Sequence, residues 1–175
     1  LNRRIDSADN YKNLLEFPKY IEIETVNACN ARCPMCTIND WERNYPVMKD
    51  NVFNKISDEL IEHKKHLKRV SLYRDGEPLI DKKLPQRINK FFENGISNTS
   101  IATNVSLLNE KKSREILEAG LGLVIMSIDS LKKDVFEKIR VRLDFETVKQ
   151  NAIKFLELRN KINPNCRVWI RMIRQ

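Results

Sequence analysis

The sequence predicts a parallel α/β barrel or partial barrel, and three observations carry that expectation. Short runs rich in Ile, Val, Thr and aromatic residues alternate with stretches whose apolar residues recur at helical spacing. Strands separated by helices pair in parallel through right-handed crossovers. No Gly-rich dinucleotide fingerprint follows any strand run, which favours a barrel over an open nucleotide-binding sheet.

The strands are expected at residues 20–25, 69–73, 99–103, 123–128 and 167–173. Between them, Phe53, Ile56, Leu60 and Ile61 form one apolar helix stripe, and Leu84, Ile88, Phe91 and Phe92 a second. Asn94-Gly95 stops that second helix. Ile116, Leu117 and Ala119 mark a third helix, closed by Gly120. The fourth connection holds a short helix around Val135, Phe136 and Ile139. A longer one follows through Val148, Ala152, Phe155 and Leu156, with Asp144 as its N-cap.

Strand parity adds a functional expectation. If helices cover the outer faces, the polar face of each strand looks into the lumen. Glu22 and Glu24 share a face, as do Ser127 and Asp129, and as do Arg167, Trp169 and Arg171. A lumen lined this way is a reaction chamber, and Glu22, Glu24 and Arg171 point to a polar or charged substrate.

Composition narrows the class. The chain has 175 residues, 41% hydrophobic and 32% charged, the proportions of one globular domain. No apolar run approaches the roughly 20 residues of a membrane-spanning helix, and the first residues are charged where a signal peptide is apolar. A cytoplasmic protein with no membrane association is expected. The net charge of +8 would attract acidic partners or nucleic acid, yet the basic residues are scattered along helices and no RNA-binding motif accompanies them. Nucleic acid is therefore disfavoured as a partner. The chain opens on Leu1 and stops at Gln175 just after a strand-like run, so it is expected to be part of a longer protein.

The chemistry concentrates in one segment. Cys29, Cys33 and Cys36 read C-x3-C-x2-C directly after the first strand run. Three thiolates from one short loop can each hold a different iron of a cubane, leaving the fourth iron open. Structural zinc wants four ligands, usually in two pairs, and no second C-x2-C occurs. Three clustered cysteines cannot pair off as disulfides in a cytosolic-looking chain. Two other readings stay open: a zinc-stabilised nucleic-acid-binding module, and a simple iron–sulfur electron carrier. Against the carrier stands the cysteine count, since carriers normally fill all four cluster positions from the protein.

The C-x3-C-x2-C loop resembles the signature of the radical S-adenosylmethionine (SAM) superfamily, and the likeness runs from about Tyr20 to Met172. It implies a parallel (β/α)6-type partial TIM barrel, of which about five strands are present. It also implies a [4Fe–4S] cluster on Cys29, Cys33 and Cys36, with SAM on the open iron. The reduced cluster would cleave SAM to a 5′-deoxyadenosyl radical, which abstracts hydrogen from a peptide, sugar or other polar substrate. The resemblance continues in Asp75-Gly-Glu-Pro-Leu79, similar to a family segment that binds the SAM amino group, with Asp75 in place of its first glycine. Gly76, Glu77 and Pro78 fall in it, although Gly-Glu-Pro alone would be an ordinary turn.

Thr103-Asn104 is similar to the family's Thr-Asn-Gly, with Val105 in place of the glycine. Ser127-Ile-Asp-Ser130 resembles Ser-Ile-Asp-Gly, placing Ser127 and Asp129 near ribose or methionine groups. Met35 replaces a frequent aromatic residue and is expected beside adenine. Arg140 is expected to pair with the SAM carboxylate. On this reading residues 1–19 are an N-terminal extension. Residues 20–175 are the partial barrel, cut before its last strand and before a C-terminal domain that carries further clusters in one branch of the family. The implied partners are a low-potential electron donor of the flavodoxin or ferredoxin type and an unidentified peptide or small-molecule substrate. His63 and His66, among Lys64, Lys65 and Lys68, read as a solvated basic helix. Cys166 reads as a buried or free thiol, and Trp41 and Tyr45 as loop packing or cluster shielding.

Overall fold

A computed structural model describes residues 17–40 and 46–173. Five strands run in the order β1 (Tyr20–Glu22), β2 (Arg69–Ser71), β3 (Thr99–Thr103), β4 (Leu123–Ser127) and β5 (Arg167–Arg171). Each pairs in parallel with its sequence neighbour. The crossovers carry α1 (Asp50–Glu62), α2 (Leu84–Glu93), α3 (Glu110–Glu118), and then α4 (Lys133–Ile139) followed by α5 (Phe145–Ile162).

The sheet is curved. Arg69 and Tyr73 from the β2 side line one depression together with Trp169 and Arg171 of β5, although two strands separate β2 from β5 in the sheet. Only a sheet bent towards a barrel brings those strands across from each other. No helix among the described residues is long and apolar enough to cross a membrane.

The main core lies between the sheet's convex face and the helices. Ile23, Val70, Leu72, Ile101, Val124 and Met126 meet Leu60, Ile88, Phe91, Ile116, Phe136 and Phe155 there, all buried. Each such side chain contributes about 1.5–3 kcal/mol by leaving water. The helix ends follow local chemistry. Asp144 caps α5, accepting from Thr147 N at 2.7 Å, and Asn109 caps α3, accepting from Lys112 N at 3.0 Å. Gly95 and Gly120 end α2 and α3 at φ of +85° and +86°, the left-handed region that glycine enters without cost.

Several sequence expectations need correction. Four of the five strands are shorter than their β-rich runs, because the chain peels off the ladder to build loops at the strands' C-terminal ends. β1 stops at Glu22, after which Ile23 N still donates to Ser71 O at 2.8 Å and Val26 bridges Val47. The lumen face is not polar throughout: Ala102, Leu123 and Ile125 form a second buried apolar cluster with Tyr73 packed on it. The polar groups on that face include a buried pair, Ser100 Oγ donating to Ser71 Oγ at 3.0 Å, besides those at the strand ends.

His63 and His66 do not lie on a solvated helix. α1 ends at Glu62, residues 64–66 form a 3-10 turn, and the Phe17 ring stacks on His63 at 4.4 Å. Cys166 is fully buried, where loss of hydration pushes its thiol up to about 11. Trp41, Tyr45 and most of the expected N-terminal extension lie outside the described residues.

Candidate cofactor site

The loop after β1 carries the three cysteines, and the loops after β2, β3 and β4 close around it. Glu77 N donates to Ala28 O at 2.8 Å. A Cβ on Gly76 would stand 2.1 Å from Val26 O and 3.1 Å from Ala28 O. The β2 loop therefore lies backbone against backbone on the cysteine loop, an approach open only to glycine.

Glu77 is buried and knits three segments. Its Oε1 accepts from Thr103 Oγ1 at 2.7 Å and from Leu79 N at 3.2 Å, and its Oε2 accepts from Asn104 N at 2.8 Å. Burial pushes its carboxyl up, against the three hydrogen bonds that favour its charge. Pro78 is buried in the 3-10 turn Pro78–Ile80, behind the cleft.

On the β3 side, Asn104 Nδ2 donates to Asn30 Oδ1 at 2.9 Å and reaches Cys29 Sγ at 3.8 Å. Asn30 Nδ2 donates to Ser106 Oγ at 2.8 Å. Between them Val105 takes φ +68°, a left-handed conformation that is costly for a β-branched residue and free for the glycine of the family pattern. Asn151 of α5 braces that turn, its Nδ2 donating to Val105 O at 3.0 Å and Ser106 O at 3.1 Å.

On the β4 side, Arg140 Nε pairs with Asp129 Oδ2 at 2.6 Å while Arg140 Nη1 reaches Cys33 Sγ at 3.7 Å. Asp129 Oδ1 accepts from Ile173 N at 3.0 Å. Arg32 N donates to Val141 O at 3.0 Å, fastening the cysteine loop to the turn after α4.

These loops enclose a cleft of about 310 Å³ lined by Cys29, Cys33, Cys36, Met35, Gly76, Glu77, Thr103, Asn104, Ser127 and Arg140. Ten of the residues singled out from sequence thus meet at one place, whereas Pro78 and Asp129 stand behind it, Asp129 as the anchor of Arg140. Arg74, Asp75 and Arg171 also line the cleft. Glu22 and Glu24, expected in the chamber, serve the loops instead. Arg74 Nη1 donates to Glu22 at 3.0 Å, and Asp75 N donates to Glu24 at 3.1 Å. Sequence reasoning passed over Asn30, Ser106 and Asn151. Asn30 sat inside the motif, but only the fold brings Ser106 and Asn151 to it.

The donor set fits an iron–sulfur cubane. All three thiols are free and face the cleft. Burial pushes Cys29 and Cys33 up, with the Ala31 amide and Arg140 respectively opposing it, a state that coordination to iron reverses. Among the described residues no three His, Cys, Asp or Glu side chains gather around one metal position. Three thiols without a fourth protein ligand suit three irons of a cubane better than one zinc ion, which wants four.

The fold and the site thus define a cluster-binding protein of the α/β partial-barrel class. The chain belongs to the radical SAM superfamily, whose family model, described by that name, matches residues 23–172. That family uses a [4Fe–4S] cluster and S-adenosylmethionine.

Two curated relatives are similar in sequence. One is the tungsten-containing aldehyde ferredoxin oxidoreductase cofactor-modifying protein of Pyrococcus furiosus, 32% identical over 113 residues, covering 65% of this chain and 31% of that protein. The other is a probable GTP 3′,8-cyclase of Methanococcus maripaludis, 30% identical over 131 residues, covering 74% and 43%. The chain therefore spans less than half the length of these relatives. Two solved structures share the fold. Streptococcus suis SuiB bound to S-adenosylmethionine matches with a TM-score of 0.72 at 19% identity, over 99% of this chain and 39% of that one. BtrN in complex with AdoMet and 2-DOIA matches at 0.61 and 21% identity, over 90% and 58%. Both are SAM-bound partial barrels, as the expected fold class requires.

Proposed function

We propose that this chain is the catalytic core of a radical SAM enzyme that abstracts hydrogen from a small polar substrate held in the barrel lumen. The observation that carries it is the convergence of the C-x3-C-x2-C loop with the loops after β2, β3 and β4 on one cleft. When bound, the cluster and SAM supply a 5′-deoxyadenosyl radical; the protein supplies placement and exclusion of side reactions.

Cys29, Cys33 and Cys36 would hold the cluster. Glu77 fixes the β2 and β3 loops around it and supports recognition of the SAM ammonium chiefly by shaping the backbone there. Ser127 and Asn104 offer polar partners to ribose or methionine groups, and Met35, half-exposed on the cleft wall, offers an apolar surface to adenine. Arg140, held by Asp129, presents a cation to the SAM carboxylate. A flavodoxin- or ferredoxin-type donor is the fitting reductant, drawn by the basic surface, and a cytoplasmic setting suits such a partner. The relatives named for a GTP cyclase and a cofactor-modifying protein make nucleotides and cofactor precursors the substrates to try first.

The test is anaerobic reconstitution with iron and sulfide, followed by EPR of the reduced cluster with and without SAM. A signal that changes on SAM addition and is lost in Cys33→Ala supports the reading. A cluster indifferent to SAM moves it to electron transfer, and zinc without a cluster moves it to a binding module.

A further inference from the structure

Next to the cysteine cleft, and sharing Arg171 with it, lies a second depression of about 520 Å³ lined by Arg69, Tyr73, Ile125, Trp169 and Arg171. These residues come from the β2, β4 and β5 segments and occupy the lumen side, while Ile170 and Met172, from the other face of the β5 segment, complete the rim at the sheet edge. On each strand their neighbours, Val70, Leu72, Val124 and Val168, belong to the helix-facing core. No residue in this depression belongs to the proposed cluster or SAM contacts.

Its chemistry is particular. The lumen carboxylates are engaged elsewhere, Glu22 with Arg74, Glu24 with the Asp75 and Asn27 amides, and Asp129 with Arg140. Arg69 and Arg171 have no ion-pair partner among the described residues. Arg69 lies over the Tyr20 ring, 5.5 Å from its centroid, which stabilises the guanidinium face. Its Nε is nevertheless buried and without a hydrogen-bond partner. A buried N–H left unmade is costly unless a ligand accepts from it. Opposite stands Trp169, 48% exposed, in register with Ile125, with Tyr73 packed beside the Ala102–Leu123–Ile125 cluster. Exposed aromatic faces beside unpaired guanidinium groups are a recognition surface for a flat ring carrying an anion.

We propose that this depression is the substrate subsite and that it takes a molecule joining a planar ring to a phosphate-type anion, a purine nucleotide being the simplest. Trp169 and Tyr73 receive the ring, and Arg69 and Arg171 receive the anion. Arg171 lies at the boundary with the cysteine cleft, so the ligand sits next to the site where the radical is formed. This rests on the proposed function, whose cleft supplies that radical.

The test uses the full-length cluster-loaded protein under anaerobic conditions, with equilibrium dialysis against GTP, guanosine and inorganic triphosphate. GTP should bind best, and each half of the molecule about tenfold or more weakly. Arg69→Gln and Arg171→Gln should each weaken GTP about tenfold. Trp169→Leu should weaken GTP and guanosine while leaving inorganic triphosphate unchanged. It serves as the decisive variant if Arg69→Gln misfolds. Arg69→Gln and Trp169→Leu, which lie outside the cysteine cleft, should keep the SAM-dependent change in the cluster's EPR spectrum. Absence of GTP binding in the wild type, or equal binding in every variant, overturns the subsite even when that EPR change is intact. Loss of the EPR change in the wild type overturns the radical SAM reading instead, because dialysis reports nucleotide binding separately.

Discussion

The cysteine loop is held differently at its two ends. Around Cys29 the contacts are backbone against backbone, with Gly76 on Val26 and Ala28 and the buried Glu77 tied to the β3 loop. Around Cys33 a single backbone tie, Arg32 N to Val141 O, stands beside an ionic contact open to the cleft, with Arg140 shared between Asp129 and the thiol, its side chain 15% exposed. The first end tolerates no change of shape, while the second can exchange one partner for another. A loop that must both fix a cluster and admit a charged cofactor has use for one rigid end and one adaptable end.

That contrast breaks most sharply at Gly76. Gly76→Ala drives a methyl into a backbone carbonyl, with no flexible side chain to yield. It should cost about 3 kcal/mol in denaturant unfolding, the upper part of the overpacking range, and should lower iron loading. Arg140→Gln tests the other end, where it strands the fully buried Asp129 carboxylate. Breaking a buried pair costs about 3–5 kcal/mol. The open cleft lets water reach the site, so the expected loss is about 2 kcal/mol, with the cluster still loading and SAM affinity, read by dialysis, falling further than stability.

Glu77→Gln returns to the rigid end, placing an amide N–H2 against an N–H donor at one oxygen position. One unsatisfied buried donor costs about 1–2 kcal/mol, measured near neutral pH. The same variant sharpens the pH behaviour. Burial raises the folded carboxyl above its ordinary value of 4.5. The folded chain therefore holds that proton to higher pH than the unfolded chain does. Stability linked to Glu77 is complete below 4.5, declines as pH rises towards the folded value, and then levels off. Glu77→Gln should remove that decline; an unchanged stability–pH slope would show that the carboxyl is not the group responsible.

The smallest effect belongs to Cys166, which touches neither end of the loop. Its thiol, buried and raised to about 11, should resist iodoacetamide at pH 8 in the folded apo protein, while Cys29 and Cys36, both partly exposed, are alkylated. Mass spectrometry after digestion reads the difference directly.

The sequence by itself determined the alternation of strands and helices, the parallel order of the sheet, the helix stops at Gly95 and Gly120, the Asp144 cap and the three-cysteine motif. Each of these is written locally, in spacing of a few residues or in one backbone conformation. It also pointed to the loops after β2, β3 and β4, because parallel α/β folds gather such loops at the strands' C-terminal ends. Only the tertiary structure decided what each side chain in those loops does. Glu77 holds two loops together because burial surrounds it with three protein donors. Asp129 stands behind Arg140, and Glu22 and Glu24 fasten the β2 loop, because partners 11, 52 and 51 positions apart are brought within bonding distance. The apolar lumen patch and the meeting of Arg69 and Trp169 at one cavity arise from the curvature of the sheet, and the brace from Asn151 arises from the packing of α5 beside the β3 loop. Periodicity along one strand carries no information about which residues of a distant strand will face it.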